Sequence, residues 1–159
     1  MCKDNRVNIR KFKRADLAEI KSLIDRTIDT CYSGVYCEEA VKFFKDWHSG
    51  EKILNSAKKG YTIILEKDGR IIGTGTIVCD EIVRVFVAPA YQNRGFGKLL
   101  MKRLENIAHT GRIETVRLDA SLPSKKFYDS LGYVALEKTF RAVENHKKLD
   151  YYKMQKVLI

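Results

Sequence analysis

The chain has 159 residues, 45% hydrophobic and 31% charged, a balance that suits one folded domain over 1–159 and excludes a disordered or fibrous chain. No apolar run approaches the roughly 20 residues that cross a bilayer, and the start, M-C-K-D-N-R-V-N-I-R, has no apolar signal core, so a cytoplasmic protein without a membrane partner is expected. The net charge of +10 draws anions, nucleic acid or a polyphosphate ligand alike, but its cations are scattered and do not choose between them.

In chain order, Arg6 to Phe12 carries Val7 and Ile9 in alternation and predicts a short strand. Asp16 is placed to cap a helix in which Leu17, Ile20, Leu23, Ile24 and Ile28 recur at helical spacing. C-Y-S-G-V-Y breaks it. Glu38 to Trp47 predicts a second helix, continuing past Gly50 to about Lys58. The period then changes. Tyr61 to Glu66 reads as a strand, K-D-G-R as a hairpin turn, and Ile71 to Val78 as the return strand, with Gly73 and Gly75 opposite something close. Cys79-Asp80 turns into a third strand, Glu81 to Val87. A helix with Leu100, Leu104, Ile107 and Ala108 on one face ends at Thr110-Gly111. Glu114–Leu118 predicts a strand, Ser124–Leu131 a helix stopped by Gly132, Tyr133–Phe140 a strand, and Leu149–Val157 a last strand. The order is that of one mixed α/β domain.

Cys2, Cys31, Cys37 and Cys79 form no C-x-x-C pair and have no histidine cluster beside them, so reduced thiols and no metal are expected. Between the third strand of the meander and the long helix stands Q-N-R-G-F-G-K, residues 92–98. A Walker A loop would need glycine where Gln92 stands and a hydroxyl where Leu99 stands. A dinucleotide fingerprint would need glycine at Leu100. Both fail. The stretch still has what an anion needs: Gly95 and Gly97 let backbone N–H groups approach closely, the helix start supplies unpaired donors, and Arg94 and Lys98 add charge. An ordinary strand-to-helix connection would look similar.

The pattern Gln92-x-x-Gly95-x-Gly97, with a strand before and a long helix after, resembles the acyl-CoA pyrophosphate loop of the GNAT superfamily of N-acetyltransferases. A-S-L-P-S-K-K-F-Y-D-S-L-G-Y, residues 120–133, resembles the later family segment in which a short helix carries a Phe-Tyr pair and ends at Gly-aromatic. The element order is similar along essentially the whole chain. The resemblance implies a mostly antiparallel sheet flanked by helices and splayed between its fourth and fifth strands, Glu81–Val87 and Glu114–Leu118, with acetyl-CoA in the splay. It implies pyrophosphate binding by Gln92, Asn93, Arg94, Gly95, Phe96, Gly97 and Lys98. It implies a bulged strand at Val85, Phe86 and Val87 whose backbone binds pantetheine and polarises the acyl carbonyl, with Val85 or Val87 as the N–H donor. Tyr128 matches the tyrosine that bonds the thioester sulfur and protonates the leaving thiolate. Ser121 stands where many relatives carry Asn for the pantetheine arm. Glu81 matches the general-base glutamate of the histone-acetylating branch.

The implied chemistry is direct attack by a primary amine on acetyl-CoA in a ternary complex. No cysteine has a partnered histidine for a covalent route. A catalytically silent CoA-binding module would keep the loop and lose the base. A nucleic-acid binder is disfavoured, since the basic charge comes without a helix-turn-helix, zinc-finger or RNA-binding aromatic motif. The acceptor surface is expected from residues 29–55 and 138–152, which hold Tyr32, Tyr36, Glu38, Glu39, Asp46, Trp47, Glu144 and His146. The last strand, Leu149–Ile159, offers an edge for a homodimer.

Overall fold

The computed structural model describes residues 6–158; Cys2 and Ile159 lie outside them. The elements are β1 (Val7–Lys11), α1 (Leu17–Tyr32), α2 (Glu38–Trp47), α3 (Gly50–Lys59), β2 (Tyr61–Lys67), β3 (Arg70–Val78), β4 (Glu81–Val87), α4 (Phe96–Thr110), β5 (Thr115–Ser121), α5 (Lys125–Ser130), β6 (Val134–Ala142) and β7 (Lys148–Val157). The strands form one sheet in the order β1-β2-β3-β4-β5-β7-β6. Every neighbouring pair is antiparallel except β4 with β5.

The sheet is covered on both faces, and the strand period decides which side chain goes where. On β2, Ile63 and Leu65 face one layer while Ile64, between them, faces the other. The first layer is α4, through Leu100, Met101, Leu104 and Ala108, with Tyr128 of α5. The second is α1, through Ile20, Leu23, Ile24 and Ile28, with Ala40 of α2 and Ile53 of α3. Because helices lie on both sides, β2 and β3 are buried along most of their length.

The expected close neighbour of Gly73 and Gly75 is α4. A Cβ on Gly73 would come 3.1 Å from Leu100 Cδ1, and one on Gly75 would come 2.8 Å from Leu104 Cδ1. Missing side chains on β3 thus let α4 lie against the sheet.

Three expectations need correction. Asp16 does not cap α1. Its carboxylate accepts from Lys13 N–H at 2.7 Å and from both terminal nitrogens of Arg10 at 2.8 Å. The Arg10 guanidinium holds it below the usual carboxylate range and turns it back toward β1. The second helix is two helices. Ser49 takes extended backbone and its Oγ accepts from Lys52 N–H at 3.3 Å, so a cap starts α3 where apolar spacing alone runs on. The last strand has no free edge, because β7 pairs with β5 on one side and β6 on the other. The outer strand there is β6, which exposes Val134, Leu136 and Phe140.

The tight α4–β3 contact makes Gly75→Ala a test of the layer. Leu104 must leave its place in a filled core, at a cost of about 1–3 kcal/mol. Thermal unfolding should show a midpoint lower by a few degrees. An unchanged midpoint would mean that α4 does not seat on Gly75.

Candidate active site

The site begins where the sheet fails to close. β4 and β5 pair at one position, Glu81 with Arg117. Arg117 N–H donates to the Asp80 carbonyl at 2.8 Å, and its guanidinium grips the Asp80 carboxylate at 2.9 and 3.0 Å. Past this pin the strands separate, and no later β4 residue is in register with β5. A bulge adds to the divergence. Between Phe86, opposite Thr74, and Val83, opposite Thr76, β4 spends one residue more than β3. Arg84 takes the left-handed conformation there, at φ +54°. Neither Arg84 nor Val85 has a register partner on β3. The bulge divides the strand between two cavities: Glu81 to Arg84 line one, and Val85 to Val87 line the other.

The cavity on the Val85–Val87 side is a groove of about 410 Å³. Its floor is the glycine turn. Asn93 at φ +61° and Gly95 at φ +86° bend the chain into α4. The first intrahelical bond runs from Leu99 N–H to the Gly95 carbonyl at 3.1 Å. The N–H groups of Phe96, Gly97 and Lys98 therefore have no acceptor within the helix and sit at its positive end. A Cβ on Gly97 would come 3.0 Å from the Phe127 ring, so a side chain there would crowd the groove wall. Of the predicted loop residues, Gln92, Asn93, Gly95, Gly97 and Lys98 line the groove. Gln92 also braces the turn, since its Nε2 donates to the Val87 carbonyl at 3.0 Å and ties the loop to the end of β4. Arg94 and Phe96 pack on Tyr91, the guanidinium 5.5 Å and the phenyl ring 6.3 Å from its ring centre.

Tyr128 closes the groove from α5. Its ring is buried against Phe127 and Tyr133. Its hydroxyl makes no hydrogen bond among the described residues. Burial pushes its pKa well up, so it stays a neutral donor. Tyr32 is buried in the same wall, and burial raises its pKa, with the nearby Ser121 and Ser124 hydroxyls offsetting part of the rise. Ser121 and Ser124 also bond each other at 2.7 Å. Ser124 lines the groove, whereas Ser121 lines the cavity behind it.

That second cavity holds about 320 Å³. Phe43 and Trp47 of α2, Leu149 and Tyr151 of β7 form its apolar walls. Glu81 and Asp119 bring carboxylates; Arg84 and Arg141 bring guanidinium groups. Burial raises the Asp119 pKa against the pull of Lys153, Arg141 and Arg117. Arg84 donates to Ser56 Oγ at 2.6 Å and at 3.5 Å to the Trp47 carbonyl, while its Nε is buried without a partner. His48 lies edge-on to Phe86, its ring centre 5.1 Å away, and its Nδ1 is also buried without a partner. Burial, then the charges of Arg84, Lys21 and Lys52, drops the imidazole pKa to about 3, so it is neutral.

Trp47 is where the sequence put it, but the acids singled out beside it are not. Glu39 accepts from Asn145 at 3.2 Å, Glu144 pairs with Lys42 at 2.9 Å, and neither lines the cavity. Glu38, Asp46 and His146 are also outside it. Tyr36 is a tie: its hydroxyl donates to the Asp150 carbonyl and accepts from Leu122 N–H, both at 2.8 Å. The residues missed include His48, Arg84, Asp119 and Arg141. For Asp119 a signal existed, since T-V-R-L-D-A alternates and puts Arg117 and Asp119 on the face opposite Val116, Leu118 and Ala120.

Residues 32–158 match the family described as acetyltransferase (GNAT) domain. Comparison with curated proteins finds no match. Among solved structures, a GCN5-related N-acetyltransferase from Rhodopseudomonas palustris is 24% identical, with 95% of each chain covered and a TM-score of 0.87. The PaiA N-acetyltransferase from Thermoplasma acidophilum, in complex with coenzyme A, is 21% identical over 96% of this chain and 99% of its own, at a TM-score of 0.74. The acetyltransferase yncA from Salmonella typhimurium, with acetyl-CoA, is 18% identical over 97% and 95%, at 0.67. At these identities the structures show a shared fold.

His48 gives the site a pH signature. Its folded pKa of about 3 lies below its ordinary 6.5, so the unfolded chain takes the proton first. Its contribution to stability is complete above pH 6.5 and falls as pH drops toward 3. Between pH 6.5 and 5 the loss is about 2 kcal/mol. Thermal midpoints across that range should fall in the native chain and change less in His48→Leu. Parallel curves would mean that His48 is not held neutral.

Proposed function

We propose, for a chain that belongs to the acetyltransferase (GNAT) family, that it transfers an acetyl group from acetyl-CoA to a primary amine by direct attack in a ternary complex. The observation that carries this is the single β4–β5 pairing: strands that part after Glu81 leave a slot with the free N–H groups of α4 at one end and a polar cavity at the other. Two structural relatives hold coenzyme A or acetyl-CoA, which supports the same use of the groove here. The residues present fit such a ligand. The backbone N–H groups of Phe96, Gly97 and Lys98 meet the pyrophosphate, with the Lys98 and Arg94 side chains supplementing them. The main chain of β4 along Val85, Phe86 and Val87 has no partner on the β5 side and receives the pantetheine arm.

The roles at the reacting atoms follow from position and charge. A Val85 or Val87 N–H donates to the acyl oxygen as negative charge builds there. Tyr128, kept protonated by burial, donates to the departing thiolate sulfur. Glu81, at the narrow end of the splay and on the wall of the second cavity, accepts the amine's proton, directly or through water. A lysine-like amine has a pKa near 10.4, so some group must hold it deprotonated. Ser121 and Ser124 keep the passage between the cavities polar.

Thermal unfolding tests the groove. Acetyl-CoA at about 100 times its dissociation constant adds about 2.7 kcal/mol and should raise the midpoint by about 5 °C or more, with no matching shift from ATP or polynucleotide. A shift with polynucleotide alone would make this a nucleic-acid protein. The chemistry is read by CoA thiol release with a panel of amines. Tyr128→Phe and Glu81→Gln should each lower kcat by about 100-fold while the acetyl-CoA shift persists. Unchanged kcat in both variants would remove them from the reaction.

A further inference from the structure

Two cations in the second cavity make no direct salt bridge among the described residues. Arg84 is half-buried and its partners are neutral oxygens, Ser56 Oγ and the Trp47 carbonyl. It forms no ion pair among the described residues. The guanidinium has given up water on several sides with no anion in direct contact, and desolvation pulls its pKa down against the weaker opposing charge of Glu81. Such a group is costly to keep unless something completes it. Its backbone adds to that cost, because Arg84 holds the left-handed conformation at φ +54° inside a strand, where a long side chain is disfavoured. The bulge aims this side chain at the acceptor side while the next residue faces the groove. Arg141 reaches the same cavity from β6. It lies 4.8 Å from the Trp47 ring centre and 5.8 Å from that of Tyr151, again with no ion pair among the described residues. Stacking on aromatic faces leaves the edge of a guanidinium open for an anion.

The same cavity holds Glu81 and Asp119. Two carboxylates against two guanidinium groups make a balanced site. A polyamine would be repelled at Arg84 and Arg141, and a polyanion at Glu81 and Asp119. An acceptor with one charge of each sign meets both pairs.

We propose, on the acetyltransferase reading above, that the acceptor is a small amine that also carries a carboxylate, of the amino-acid class. Its carboxylate seats on Arg84 and Arg141, its amine lies toward Glu81 and Asp119, and its apolar body packs between Trp47, Phe43 and Tyr151. Arg84 and Arg141 are specificity residues; they hold the acceptor's carboxylate and take no part in bond making.

The test compares phenylalanine with 2-phenylethylamine, and leucine with 3-methylbutylamine, by CoA thiol release from acetyl-CoA. Each pair differs only in the carboxylate. The amino acid should show kcat/KM about 10–100-fold above its decarboxylated partner, the range expected when a charge-assisted pair is lost. In Arg84→Gln and in Arg141→Gln that ratio should fall toward one, mainly through KM. Arg141 is exposed, so its variant should fold even if the change at Arg84 does not; the acetyl-CoA thermal shift confirms folding in both. Equal or faster turnover of the decarboxylated amines would overturn the carboxylate seat and leave acetyl transfer standing. A ratio unchanged in Arg141→Gln and in a folded Arg84→Gln would also overturn it. No turnover of any amine by a chain that still binds acetyl-CoA would overturn both readings.

Discussion

One parallel pairing governs the molecule. Seven strands are joined by full antiparallel ladders except at β4–β5, where Glu81 and Arg117 alone are in register. A sheet with a ladder at that position would be a closed wall with two helical faces. With one pair and the Asp80–Arg117 pin, it becomes two sheets sharing a corner. The half-exposed ion pair at the corner adds little energy; its value is positional, because it sets where the divergence starts. The rest of the site follows. Backbone groups that would have bonded β5 are left for a ligand, and the space that β5 vacates is shared by the groove and the cavity behind it.

Much of this was legible in the chain. The strand order, the hairpin at Asp68-Gly69 and the stop at Gly132 rest on local rules and are present where those rules put them. Glycines at 73 and 75 announced a close neighbour, though not that α4 was the neighbour. The anion-suited turn could be read from Gly95, which takes φ +86°, and from Gly97, where a Cβ would crowd the Phe127 ring. Helix starts were harder where two signals compete. Ser49 looked like one polar residue in a helical pattern, and only its extended backbone makes it a cap. Asp16 looked like a cap, but the Arg10 guanidinium claims it from β1.

The second cavity was the least legible part, for a topological reason. Its walls come from α2, α3, β4, β5, β6 and β7, so no local pattern announces it. Acids in the right segments, Glu39 and Glu144, bond at the surface instead. Arg84 lay hidden in an apolar strand, where an arginine reads as an outward-facing residue of the alternation. The bulge breaks that alternation and turns the side chain into the site.

The two cavities also differ in how the chain must be threaded to build them. The groove walls come mostly from β4, the glycine turn, α4 and α5, a continuous stretch between residues 81 and 131. The cavity behind it joins α2 and α3 to β6 and β7, about a hundred residues later. Closing long loops costs chain entropy before contacts repay it, so the groove is the half with the shorter folding distance. Its parts are fixed by neighbours in sequence and tolerate little change. The far walls meet only through docking of segments distant in sequence.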